Sequence, residues 1–211
     1  IIDEVEKPFR VSGTVNSSML NRLIYFMQYH GIAYNPNWEV GSDCGAQIED
    51  IAESDEYRQL NIRINKNIDV VYSAKFLVST NKNADDCEKI ASIAHELGHL
   101  FCYHLPCPKG WGNAWEHRNL DKEVKEFEAE AVARMVCDRL GIGTHSERYL
   151  APYLFRHNEF PREVRVENIC FAANKILTMC FDIQKMTYRN GLLYKNDSNF
   201  QELLKSIKSK K

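Results

Sequence analysis

Apolar residues recur at helical spacing over residues 83–104, where Ile90, Ile93, Ala94, Leu97, Leu100 and Phe101 form one broad stripe. Asn83 is placed to cap this helix, and Asp85, Asp86 and Glu88 fill its first turns, where the helix dipole favours acids. A second helix is predicted over residues 121–140, DKEVKEFEAEAVARMVCDRL, with Gly141 as its stop. Residues 17–30 read as another helix, capped by Ser17 or Ser18 and ended by Gly31. Residues 35–54, rich in Asn, Asp, Gly and acids, read as loop or short turns. Residues 60–64 and 70–79 show β-branched alternation, split by the turn-like Asn65-Lys66-Asn67. They predict a small antiparallel sheet beside the helix of residues 83–104. Residues 147–155 and 161–185 add C-terminal helices, the second with a stripe of Val166, Ile169, Cys170, Ala173, Ile176, Leu177, Cys180 and Phe181. The expected fold class is α+β and mainly helical. A core over residues 1–141 carries a helical extension, residues 142–211, packed on it as one domain overall.

Inside the first of these helices lies His95-Glu96-Leu97-Gly98-His99. Residues four apart stack on one helix face, so His95 and His99 can aim both imidazoles at one cation. Glu96 lies about 100° round the helix from His95, in reach of a water at that cation. The histidine pair falls opposite the centre of the apolar stripe, so it faces a cleft while the other side of the helix is buried. Two neutral nitrogens, a carboxylate base and an open position are what zinc-assisted hydrolysis requires.

Zinc needs a third protein ligand. On the helix of residues 121–140, Glu126, Ala129, Glu130, Ala133, Val136, Cys137 and Leu140 share a face that contains no Lys or Arg. Carboxylates on an apolar face require a cation, a hydrogen-bond donor or a shifted pKa. Glu126 is the preferred ligand. Glu130, one turn on, is placed to bond the outer nitrogen of a ligating His and fix its tautomer. Glu128 points away, beside Lys125, Val132 and Arg139, and reads as a surface ion-pairing residue. Other ligands remain open: Glu130 itself, Cys102 as a thiolate, His104, or Glu116 and His117 in a loop. A metzincin pattern is rejected, because Leu105 and Cys102 stand where it needs His and Gly.

The order of a β-rich stretch, a helix bearing HELGH and then Glu126-Phe127-Glu128-Ala129-Glu130 resembles the ImmA/IrrE-type zinc metallopeptidases, within the larger gluzincin group. The likeness covers about residues 60–141, with a weaker echo to residue 185. It implies a metallopeptidase domain in which His95, His99 and Glu126 hold zinc, Glu130 supports them and Glu96 is catalytic. It further implies a cytoplasmic regulatory protease that cuts a protein or peptide, such as a helix-turn-helix repressor. Two features depart from the pattern: Glu130, where the group often has Asp or Asn, and the cysteine-bearing insert of residues 102–120.

The composition fits a compact enzyme: 211 residues, 44% of them hydrophobic, with no apolar run of membrane-spanning length. A net charge of −2 argues against a general nucleic-acid binder, and the basic tail ending in Lys210-Lys211 reads as a solvated end. The start, IIDEVEKPFR, lacks an initiator Met and a signal pattern and reads as a trimmed or partial chain. Seven cysteines without a CxxC pair fit reduced thiols in a cytosolic protein, with Cys137, Cys170 and Cys180 as core filler. Trp111 and Trp115 line a cleft or pin a long loop. Tyr103, His104, His117, Tyr149 and Tyr153 are the candidate donors to an oxyanion. The expected activity is peptide hydrolysis with Glu96 as proton carrier; the alternative is a binding or effector module that keeps the metal for folding or recognition.

Overall fold

The computed structural model describes residues 11–40, 45–51, 58–112, 115–144, 162–181 and 186–209. The helix expected over residues 147–155, Tyr149, Tyr153 and Cys44 lie outside these residues. The fold is mixed α/β, with helices α1 (Ser17–Met27), α2 (Asp86–Phe101), α3 (Lys122–Leu140), α4 (Val166–Phe181), α5 (Leu192–Asn196) and α6 (Ser198–Ser209). Its strands are β1 (Ile32–Trp38), β2 (Ala46–Asp50), β3 (Gln59–Asn65), β4 (Ile68–Ser73) and β5 (Phe76–Asn81). None of the helices among the described residues is long and apolar enough to cross a membrane.

The expected antiparallel pairing across Asn65-Lys66-Asn67 is present, but it forms one of two sheets and is not the one beside α2. β3 and β4 pair antiparallel as a hairpin of their own. The sheet beside α2 has the order β1-β5-β2, with β1 parallel and β2 antiparallel to the central β5. The single strand expected over residues 70–79 breaks at Ala74-Lys75, where the N–H groups of Lys75 and Phe76 both turn to the carbonyl of Gly31. Every residue of β5 is buried, so it carries no alternation to read. β2 and the second half of β1 occupy a stretch expected to be loop. Both are edge strands with polar outer positions, and β1 tolerates Pro36 only because an edge can lose a ladder donor. Its register shifts between Asn35 and Trp38.

α2 is the central element. Ile90, Ile93, Ala94, Leu97 and Leu100 have no solvent exposure, and they pack among β2, β5, α1, α3 and α4. Its cap is Asp85 and not Asn83: Asp85 accepts the N–H of Glu88, whose side chain accepts that of Asp85 in return. α1 likewise starts from Asn16, whose side chain accepts the Ser18 N–H, and it tightens into a 3-10 turn that Gly31 ends with φ 80°. α3 lies between α2 and α4 and buries residues on both sides, which hides any single apolar stripe. In α4, Cys180 is buried as expected, whereas Val166, Cys170 and Phe181 are exposed.

The C-terminal helices are tied on through Asp197, which is fully buried. Its Oδ1 accepts from Tyr72 Oη at 2.8 Å and from the N–H of Phe200 at 2.9 Å. The Lys75 ammonium stands 3.1 Å from Oδ2, an ion pair whose alignment falls short of a hydrogen bond. His30 is another buried polar group, with its Nδ1 accepting the Leu192 N–H at 3.2 Å and its ring edge-on to Phe101.

Burial, with Lys175 and Lys195 nearby, holds His30 well below the usual imidazole pKa. The folded ring therefore stays neutral while the unfolded chain takes up a proton below about pH 6.5, so stability is lost as pH falls through that value. In His30→Asn the amide oxygen can still accept from Leu192. Denaturant melts at about pH 7 and about pH 5 should show this variant losing less stability than wild type, by up to about 1.4 kcal/mol per pH unit. Equal losses in both proteins would mean that His30 is protonated inside the fold.

Candidate metal centre

α2 and α3 cross with almost no space between them at Gly98. A Cβ built there would stand 2.9 Å from the Cα of Ala129 and 3.1 Å from its carbonyl oxygen. Only glycine allows that approach without moving α3. Ala129 is one turn beyond Glu126, so the close crossing sets Glu126 across from the histidines of α2. His95 Nε2 and His99 Nε2 are 3.2 Å apart, and Glu126 Oε2 is 3.4 Å from the first and 3.8 Å from the second. Glu130 Oε2 lies 3.1 Å from His95 Nδ1, on the far side of that ring.

The charges around these groups follow from burial and pairing. Burial disfavours the His95 cation, but its bonds to Glu126 and Glu130 outweigh that and push the ring up to about 10. His99 is driven down to about 3, by burial first and then by the charge on His95. The hydrogen bond to His95 holds Glu126 below the usual carboxylate range. Without a metal, the positive charge at neutral pH therefore sits on His95, beside a neutral His99 and facing the Glu126 carboxylate. The donor chemistry fits a divalent cation. Tetrahedral ligands about 2.0–2.1 Å from zinc lie about 3.3 Å from one another, close to the three separations here.

Glu96, next to His95, is partly buried, and burial raises its pKa against the opposing pull of the His95 charge and of the Ile48 backbone amide of β2. A carboxylate shifted toward neutrality is suited to accept and return a proton. The edge strand β2, hidden in a stretch expected to be loop, thus supplies a partner that sequence reasoning missed.

Other candidates are placed elsewhere. Cys102 follows the last residue of α2 and is fully buried; burial, reinforced by Glu128, pushes its thiol up to about 12. It groups with His104 and Glu128 in a second cluster of potential ligands, away from the His95 and His99 Nε2 atoms. That cluster already holds a cation, because Arg118 Nη1 is 2.6 Å from Glu128 Oε2. His117 is exposed, and Glu116 pairs with Arg165 at the surface. Trp111 and Trp115 are buried edge-on to one another, and Trp111 is edge-on to Phe76, so they pin their loop to β5. Tyr103 is edge-on to Trp115.

Glu128 requires the main correction. It is not a surface residue: it is fully buried, and His104, Arg118 and the backbone of Arg165 all donate to it. The signal was present in Val124 and Val132, one turn to either side of it, which marked a second buried face on α3. No family model, curated protein or solved structure matches the chain.

Glu126 is 35% exposed at the side chain, so its substitution should cost the fold little. Glu126→Gln is expected to keep the wild-type melting temperature while zinc affinity falls by more than the roughly 10–100-fold seen for residues that only support a ligand. Competition titration with a chromophoric chelator measures this. Unchanged affinity would place the third ligand elsewhere.

Proposed function

We propose that the chain is a zinc-dependent peptidase in which His95, His99 and Glu126 hold the metal and Glu96 moves the proton. The observation that carries this reading is the triangle of two Nε2 atoms and one carboxylate oxygen, with separations of 3.2, 3.4 and 3.8 Å. When bound, zinc supplies Lewis acidity that polarises a water and the scissile carbonyl. Glu130 accepts from His95 Nδ1, which leaves Nε2 as the atom of that ring at which the metal would replace a proton. Glu96 takes the proton of the attacking water and returns it to the leaving amine, with the Ile48 backbone amide favouring its charged form. Glu126, 35% exposed at its side chain, lies on the solvent side of the site, where a peptide would enter.

The likeness of HELGH and Glu126-Phe127-Glu128-Ala129-Glu130 to the ImmA/IrrE-type metallopeptidases supports the same reading. It extends it to a cytoplasmic regulatory protease acting on a protein such as a helix-turn-helix repressor. The metallopeptidase fold and the substrate class belong to this proposal.

Glu96→Gln separates proton transfer from metal binding, because the amide keeps the shape but accepts no proton at neutral pH. The variant should retain one zinc per chain and lose about 10²–10⁴-fold in cleavage rate. New N-termini in a cell lysate, counted by mass spectrometry after addition of either protein, provide the assay. Equal termini with both would remove Glu96 from the mechanism, and none with either at full zinc occupancy would favour a binding module.

A further inference from the structure

His99 has an outer partner of an unexpected kind. Its Nδ1 lies 3.0 Å from Nδ1 of His104, whose Nε2 lies 2.8 Å from Glu128 Oε2. The His104, Arg118 and Glu128 side chains are at most 4% exposed. A carboxylate on the inner side of α3 costs several kcal/mol unless it is fully paired, and this one is. Arg118 Nη1 donates to Oε2 at 2.6 Å and the Arg165 N–H to Oε1 at 2.7 Å. Arg118 is itself held by the carbonyls of Cys102, at 3.3 Å, and Glu163, at 2.6 Å.

Hydrogen-bond valence then fixes each proton along the row. An ionised carboxylate only accepts, so His104 Nε2 carries a hydrogen. An imidazole that holds its single hydrogen on Nε2 can only accept at Nδ1, and Nδ1 is the atom that His104 turns to His99. His99 must therefore donate from Nδ1, and its Nε2 presents a lone pair toward His95 Nε2 and Glu126. The backbone is bent to make this possible. Tyr103 adopts φ 64°, a left-handed conformation that costs a non-glycine residue about 1 kcal/mol or more. The bend folds His104 back under α2, where its N–H reaches the His99 carbonyl at 2.9 Å and the Arg118 N–H bonds the Tyr103 carbonyl.

We propose that His104, Glu128 and Arg118 are positioning residues that hold His99 in its Nδ1–H tautomer, and so set the zinc affinity from the far side of the site. The inference rests on the reading of His99 as a ligand. It assigns a role to the insert of residues 102–120 and to the segment entering α4, which are wired to the metal centre through Arg118, Glu163 and Arg165. It also explains why Glu126 and Glu128, two residues apart on one helix, differ in burial: Glu126 faces the metal, and Glu128 faces the row that orients a ligand.

The test is long-range ¹H–¹⁵N NMR of histidine-labelled, zinc-free protein, with zinc affinity measured by chelator competition. Wild type should show His99 as the Nδ1–H tautomer. His104→Leu should move it toward Nε2–H and weaken zinc about 10–100-fold. His104→Asn, whose amide oxygen stands where Nδ1 stood, should restore both. An Nε2–H tautomer in wild type overturns the proposal even if no variant folds. An unchanged tautomer and affinity in His104→Leu, or a failure of His104→Asn to rescue either, overturns it as well. Wild type that binds no zinc would sink the peptidase reading instead, while the tautomer of His99 is still decided by the NMR.

Discussion

The site depends on one contact between two helices. Gly98 of α2 lies so close to Ala129 of α3 that a methyl group would not fit, and this approach brings Glu126 within 4 Å of both His95 and His99. Everything else about the centre is built around that crossing. The apolar face of α2 fills the core and keeps the helix from turning, while the opposite face holds His95, Glu96 and His99. α4 backs α3 from the other side, so neither helix can retreat without opening a cavity.

The acids of α3 show how one helix assigns different work to one residue type. Glu126 and Glu130 share a face four residues apart, and both reach His95, one at Nε2 and one at Nδ1. Glu128 lies about 200° round the helix and is buried against Arg118, His104 and the backbone that enters α4. Each histidine of the pair is thus backed by a carboxylate, His95 directly and His99 through His104. A buried charge is tolerated because its donors are already in place, which makes the arrangement rigid in orientation even where it adds little net stability.

Much of this centre could be read from the sequence because it is local. The i, i+4 pairs His95/His99 and Glu126/Glu130 define faces by themselves, and Gly141 ends α3 in the left-handed conformation that glycine favours. What could not be read is what depends on distant partners. β1 and β2 are short polar edge strands whose pairing with β5 overrides their composition. Glu128 looked like a surface charge because its counter-charge, Arg118, comes from an irregular loop with no periodicity. Asp85 outcompetes Asn83 as cap because only it has Glu88 three residues on to complete the reciprocal pair.

The central claim is that one cation sits between His95, His99 and Glu126. X-ray absorption at the zinc edge of protein loaded with one equivalent tests it most directly. The account predicts a first shell of nitrogen and oxygen at about 2.0–2.2 Å, with two imidazoles and no sulfur. A zinc–sulfur distance of about 2.3 Å would contradict it and move the metal to a cysteine, with Cys102 beside His104 and Glu128 as the first place to look.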